Sequence, residues 1–202
     1  MNYLAIDTSG KNLTVLVCKE NQITMFHDEE CGVNHSVELM PRVEEIVEKT
    51  GLELSSVDFF ACVVGAGSFT GIRIGVATVK ALCFAYSKPC LAITSFDTLA
   101  YNMKGGKILA LIDAKHNGFY ACGYENGKII LPPAYLMRDE VMELQEEYIF
   151  VAIGEIDGMK VKTVSVAEGL KLAVEAKLSE VNEDIESLNP LYVRKSQAEE
   201  GR

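Results

Sequence analysis

"LAIDTSGKNLTVLVCKENQI" (residues 4–23) and "ALIDAKHNGFYACGYENGKI" (residues 110–129) align without a gap, and that match decides how the rest of the chain reads. Ile6 falls on Ile112, Asp7 on Asp113 and Ile23 on Ile129. In each copy an apolar run ends in Asp and a short polar turn follows. A second β-rich run then leads through "KENQ" or "ENGK" into a third strand. Each copy therefore predicts a three-stranded meander. Beyond the first meander the pattern predicts a helix from His35 to Lys49, a strand in "FFACVV" and a helix from Thr70 to Tyr86. A short segment "CLAITS" and a helix from Phe96 to Met103 follow. Beyond the second it predicts a helix from Arg138 to Glu147, a strand in "YIFVAIG" and a helix from Val166 to Leu178. Two copies of βββαβα predict an α/β protein with two like-folded lobes. The expected division is 1–104 and 105–202, near Gly105-Gly106 in "NMKGGK", with "LNPLYVRKSQAEE" expected to pack back on a lobe.

Composition narrows the function. At 202 residues the chain can bury a core without disulfides, and its six cysteines include no C-x-x-C pair, so buried reduced thiols are expected. His27, His35 and His116 lie far apart and show no metal-ligand spacing. The formal net charge of −10 disfavours direct gripping of RNA phosphates, which needs a basic stripe. No uncharged apolar run reaches the length of a membrane span, and Met1 leads straight into the first strand. The expectation is a cytoplasmic protein with no membrane contact.

"VVGAGSFTGIRIGVATVKALCFAYSKP" is the most informative later stretch. Gly65 and Gly67 punctuate a tight turn, Ser68 or Thr70 can cap the helix, and Ser87-Lys88-Pro89 stops it. As a dinucleotide fingerprint it fails, because Thr70 stands in the third glycine position and no acidic residue sits about 20 residues on. As a nucleophile elbow it fails too, with Ser68 one place early. Anion binding by free N–H groups at the helix start stays open and is unspecific. On the helix itself, Gly71 and Gly75 form one row of small residues and Ala77, Ala81 and Ala85 another, with Ile72, Val76, Val79 and Cys83 beside them. Such rows suit close helix packing, either internal or against a partner. The helix from His35 carries Leu39, Met40, Val43, Ile46 and Val47 on one face and Glu44, Glu45, Glu48 and Lys49 on the other. Pro41 is expected to kink it or delay its start, and Glu38 can pair with Arg42.

The duplicated lobe opened by "IDTS" resembles the actin, sugar-kinase and chaperone-ATPase superfamily, which implies a ribonuclease H-like fold. "LAIDTS", "HSVELMPRVEEI", "GAGSFTGIRIGVATVKAL" and "PLYVRKSQAEE" together resemble the TsaB (YeaZ) family over essentially the whole chain. That resemblance implies a non-catalytic subunit that pairs with and activates TsaD. The complex forms threonylcarbamoyl-adenosine beside the anticodon of tRNAs reading ANN codons. The pairing it implies is a four-helix interface, expected here at His35, Leu39, Val43, Ile46, Gly71, Ile72, Gly75, Val76, Val79 and Cys83. Val76→Arg or Ile72→Glu is accordingly expected to break pairing and leave the monomer folded. The resemblance further implies TsaE as a third subunit, tRNA met only indirectly, and the same surface free to self-pair when TsaD is absent.

The TsaD relative carries an H-x-x-x-H metal pair where this chain has Ser95 and Leu99, with Asp97 between them. The resemblance thus implies no metal and no cofactor. Gly154-Glu155-Ile156-Asp157-Gly158 does not match the family's adenine-holding glycines, and the second phosphate loop reads Asp113-Ala114-Lys115-His116. Asp7, Thr8 and Ser9 keep the superfamily's phosphate turn. They either satisfy backbone donors at the strand end or retain a ligand role. The rival readings are a small ATPase or phosphotransferase, a metallopeptidase, and, weakest for an acidic chain, a bare RNA-binding module.

Overall fold

The structure, a computed structural model, describes residues 1–194. It divides into two compact units, Met1–Thr94 with Val174–Leu191, and Ser95–Ala173 with the segment beginning at Tyr192.

The first unit holds a five-stranded sheet. Its strands are β1 (Tyr3–Asp7), β2 (Leu13–Lys19), β3 (Gln22–Asp28), β4 (Phe59–Val63) and β5 (Cys90–Ile93), in the order β3-β2-β1-β4-β5. The meander β1–β2–β3 is antiparallel, and β4 and β5 add in parallel beside β1. Strand alternation sends Leu4, Ile6, Leu13, Val15, Val17, Phe60 and Cys62 into one core. Two helices close that core, α1 (His35–Thr50) with Leu39, Val43 and Ile46, and α2 (Phe69–Tyr86) with Ile72, Val76, Val79 and Cys83. Each such Leu, Ile or Val contributes about 1.5–3 kcal/mol by leaving water.

The helix ends follow from local chemistry. Ser68 caps α2 by accepting from the Gly71 N–H at 3.2 Å, and Ser87 ends it with φ 52°. Gly51 ends α1 with φ 59°, and Lys19 Nζ donates to the Thr50 and Gly51 carbonyls at 3.0 and 2.8 Å. The expected late start at Pro41 does not occur, for α1 runs continuously from His35. Pro41 and Val37 are both exposed, so the Val37 carbonyl that Pro41 cannot serve meets solvent instead. Arg42 pairs with Glu38 at 3.0 Å and with Glu45 at 2.8 Å.

After α5 (Val166–Ala176) the chain returns as a strap on the first unit. Asn182 and Cys90 exchange backbone hydrogen bonds of 2.8 Å across the β5 edge, Lys80 meets Glu186 at 3.2 Å, and Leu188 is buried in the core. The Leu191 N–H then donates to the Val64 carbonyl at 2.7 Å. The apolar start of "LNPLYVRKSQAEE" thus packs back as expected, while its charged end from residue 195 lies outside the described residues.

The second unit repeats the plan. Its strands β6 (Lys107–Asp113), β7 (Gly118–Glu125), β8 (Lys128–Met137), β9 (Ile149–Ala152) and β10 (Val161–Thr163) are ordered β10-β9-β6-β7-β8, the first sheet read backwards. Helices α3 (Ser95–Ala100) and α4 (Arg138–Glu143) are shorter than the pattern predicts, and α3 ends before Gly105-Gly106. The two copies diverge after the ninth strand. The first has α2 between β4 and β5, whereas residues 153–160 join β9 to the parallel β10 with no helix. Ile156 and Met159 from that loop pack on the core of Leu109, Leu111, Phe119, Val141 and Phe150, covering apolar surface a helix would otherwise cover. Strand β10, in the short "VKT", was not expected. It makes α5 the counterpart of α3 and leaves α2 with none.

Candidate functional site

The turn after β1 and the glycine-rich turn after β4 form one packed structure. Asp7, Thr8 and Ser9 are buried. Asp7 Oδ1 accepts from the Ser9 N–H at 2.8 Å and the Ser9 hydroxyl at 2.7 Å, and Oδ2 accepts from Asn12 Nδ2 at 3.4 Å. Thr8 donates its hydroxyl to the Gly71 carbonyl at 2.7 Å, and the Ser68 N–H donates to the Ser9 carbonyl at 2.7 Å. A side chain at Gly67, where φ is 151°, would collide with the Ser9 carbonyl, and one at Gly71 with the Thr8 carbonyl. These glycines therefore serve a close approach of the loop's backbone to the Asp7 turn. The Asp7 carboxylate is committed to holding its own turn closed.

The matching turn of the second unit is open to solvent; it keeps the carboxylate bond to the N–H two residues on and adds a lysine ammonium. Lys115 donates its N–H to Asp113 Oδ1 at 2.7 Å and its ammonium to Oδ2 at 3.1 Å. Partial burial pushes the Asp113 carboxyl up, but the Lys115 N–H and ammonium together outweigh it and hold the group below the usual carboxylate range. Lys115, His116 and Asn117 all take positive φ, at 67°, 52° and 61°. In the Gly154–Gly158 stretch, Arg138 Nη2 donates to the Asp157 carbonyl and pins the β9–β10 loop.

Ser95, Asp97 and Leu99 all lie in α3 and are buried. The Tyr124 hydroxyl donates to Asp97 Oδ1 at 2.9 Å, and the Thr98 hydroxyl donates to the Ser95 carbonyl at 2.9 Å. Among the described residues no group of three or more His, Cys, Asp or Glu stands close enough to hold a metal ion. All six cysteines are buried and no disulfide joins them. Burial raises Cys62 well above an ordinary thiol and pushes Cys83 up to about 12.

All ten residues expected at a partner interface sit inside the first unit. His35, Leu39, Val43, Ile46, Gly71, Ile72, Gly75, Val76, Val79 and Cys83 are buried, with His35 Nε2 2.9 Å from the Asn12 carbonyl oxygen. Ile72 is 1 % and Val76 5 % exposed, so Ile72→Glu or Val76→Arg would place a charge in the core and cost several kcal/mol of stability. The expected intact monomer is corrected accordingly. The outward face of α2 is largely apolar, and that of α1 is apolar in its first two turns before giving way to Glu44, Glu45, Glu48 and Lys49. Val33 ahead of α1 is 94 % exposed and Val37 69 %, with Met40 and Pro41 beside them. On α2 the outward row is Ala77, Ala81 and Ala85 with Phe84, which is 82 % exposed. The alanine row signalled this face in the sequence; the isolated Val33, Val37 and Phe84 gave no periodic signal. By length and composition alone α2 could cross a membrane, and it is the one such helix among the described residues; its inner face packs on β4.

This topology and closed turn define an α/β protein of the actin-like ATPase, ribonuclease H-like class, and its relatives are specific. The family described as TsaD, tRNA N6-adenosine threonylcarbamoyltransferase, matches residues 15–187. The tRNA threonylcarbamoyladenosine biosynthesis protein TsaB of Bacillus subtilis is 30% identical over 153 residues, 73% of this chain and 67% of that protein. The TsaB of Escherichia coli is 29% identical over 168 residues, 76% of this chain and 72% of that protein. The solved structure of YeaZ from Pseudomonas aeruginosa superposes with a TM-score of 0.77 at 24% identity, covering 95% of this chain and 99% of its own. The chain belongs to the threonylcarbamoyltransferase family and, within it, to the TsaB (YeaZ) group of tRNA threonylcarbamoyladenosine biosynthesis proteins.

Proposed function

We propose that this chain works in the formation of threonylcarbamoyl-adenosine next to the anticodon of ANN-reading tRNAs, as a subunit that pairs with a TsaD-type transferase and supplies no catalytic group. The observation that carries this reading is the surface of α1 and α2, two contacting helices whose exposed apolar residues lie on the first half of α1 and along α2, with the acidic second half of α1 as a polar rim. At 16 and 18 residues they are about 24 and 27 Å long. Side by side they offer an area of the order of the 800 Å² per partner that a specific interface needs. The N-terminal 1–104 portion would thus be the partner-binding lobe, docking through Val33, Val37, Met40, Ala77, Ala81 and Phe84. The closed Asp7 turn supports the absence of ATP chemistry in this chain, and the tyrosine-bound Asp97 between Ser95 and Leu99 supports the absence of metal chemistry.

On this reading TsaE engages the pair, tRNA is met through the partner, the same face self-pairs when the transferase is missing, and the complex works in the cytoplasm. Val37→Glu combined with Phe84→Glu should abolish capture of the transferase while leaving the melting temperature within a few degrees. Transfer activity reconstituted from transferase, TsaE and tRNA should require this chain and fall with the double variant. Undiminished capture by a folded double variant would remove the interface, and transfer at full rate without the chain would remove the function.

A further inference from the structure

Four outer strands bound the two sheets, and three of them are defended. β5 gives its Cys90 N–H and C=O to Asn182. β8 carries Pro132 and Pro133 where its pairing with β7 slips between Ala121 and Gly123, and proline has no N–H to offer. β10 is only three residues long, with a lysine at its centre. β3 has none of these devices. It is seven residues, "QITMFHD", paired on β2 in unbroken register from Lys19↔Gln22 to Leu13↔Asp28. In an antiparallel ladder every second residue points its N–H and C=O away from its neighbour. Among the described residues nothing bonds those outward groups of β3.

We propose that the outer edge of β3 is a strand-addition site for an extended, basic peptide segment of another protein. The edge is about 23 Å long, enough for a seven-residue strand. It is held in place before any partner arrives. Arg42 lies 4.8 Å over the Phe26 ring, and His27 Nδ1 is 2.8 Å from the Thr14 hydroxyl, so an added strand orders only itself. Charge selects the occupant. Glu20 flanks one end, and Asp28, Glu29 and Glu30 flank the other. The cations near the edge are held within the chain: Lys19 by the carbonyls closing α1, Arg42 by Glu38 and Glu45, and the Met1 ammonium by Asn21 Oδ1 at 3.3 Å. Lys11 meets Glu30 at 3.8 Å and leaves Asp28 and Glu29 for the occupant. A second copy paired antiparallel across β3 would bring Asp28–Glu30 beside its own Glu20, like charges on two chains of net charge −10. A peptide with Lys or Arg at both ends meets the opposite sign at each.

The test uses the full-length ¹⁵N-labelled chain and a blocked nine-residue peptide, Lys-Thr-Val-Thr-Val-Thr-Val-Thr-Lys. Saturable shifts confined to residues 22–28 and their pairing neighbours are expected, with hydrogen exchange of the outward β3 amides slowed about tenfold or more. The same peptide N-methylated on its binding edge should leave those amides unchanged, and Glu20→Lys with Glu29→Lys should weaken binding roughly tenfold at low salt, with the difference gone above about 0.5 M. No response at 22–28 up to millimolar peptide would overturn the site. So would a response that survives methylation of either edge. Protection of 22–28 that rises with protein concentration in the absence of peptide would show a second copy as the occupant and overturn the basic peptide.

Discussion

Substituting Asp7 by Asn separates a structural carboxylate from a working one. The amide keeps an oxygen for the Ser9 N–H and hydroxyl, now at 2.8 and 2.7 Å from a carboxylate oxygen, and keeps the volume of a buried site. Each bond falls from the charge-assisted to the neutral class, a loss of about 1 kcal/mol apiece. The contact from Asn12 Nδ2, already long at 3.4 Å, becomes amide against amide and adds little. The total is about 2 kcal/mol, which for a chain of this size lowers the melting temperature by roughly 4–8 °C. Calorimetry or thermal circular dichroism reads that directly. Reconstituted transfer activity, measured at a temperature where the variant is folded, should change by less than about twofold. An unaltered melting temperature together with a hundredfold loss of transfer would refute the reasoning, because the carboxylate would then be acting on a ligand.

Three further outcomes follow from the same contacts. The Tyr3 hydroxyl is buried with no hydrogen-bond partner, and burial first, then Cys18, raises its pKa far above an ordinary phenol. Tyr3→Phe should therefore be neutral or stabilise by up to about 1 kcal/mol in denaturant melts. With Cys83 pushed up to about 12, its thiolate fraction at pH 8 falls by roughly three orders of magnitude, so alkylation followed by mass spectrometry should mark it only after unfolding. The Asp113 carboxyl is held low in the folded chain, so its ion pair with Lys115 stabilises above the unfolded pKa and is lost as pH falls through the folded one. Because both groups are largely exposed, Lys115→Ala should cost only a few tenths of a kcal/mol at pH 7, and the two proteins' melting curves should converge once pH falls below the depressed folded pKa of Asp113.

The sheet plan was legible because the repeat at Asp7 and Asp113 fixes two meanders, and a meander ending in a parallel addition admits few orders. Strand β10 was not legible, since "VKT" lacks both an apolar run and alternation long enough to register. The helix expected from Val166 is present as α5, but with β10 unseen it read as following β9 directly. The orientation of α1 and α2 misled for a physical reason. Leu39, Val43, Ile46, Ile72, Val76 and Val79 form the strongest apolar faces, and the fold needs those for its own sheet before any partner can claim them. What remains outside is sparse valine, alanine and one phenylalanine, which periodicity cannot distinguish from ordinary surface.

The strap that joins Asn182 to Cys90 and Leu191 to Val64 gives this chain an unusual order of assembly. Although the first sheet is written in the opening 94 residues, it stays unfinished while the ribosome makes nearly a hundred more, roughly 5–20 s of synthesis. Until then the bare β5 margin and the pocket for Leu188 wait exposed to the cell. A stop codon late in the gene would thus injure the part of the protein encoded first.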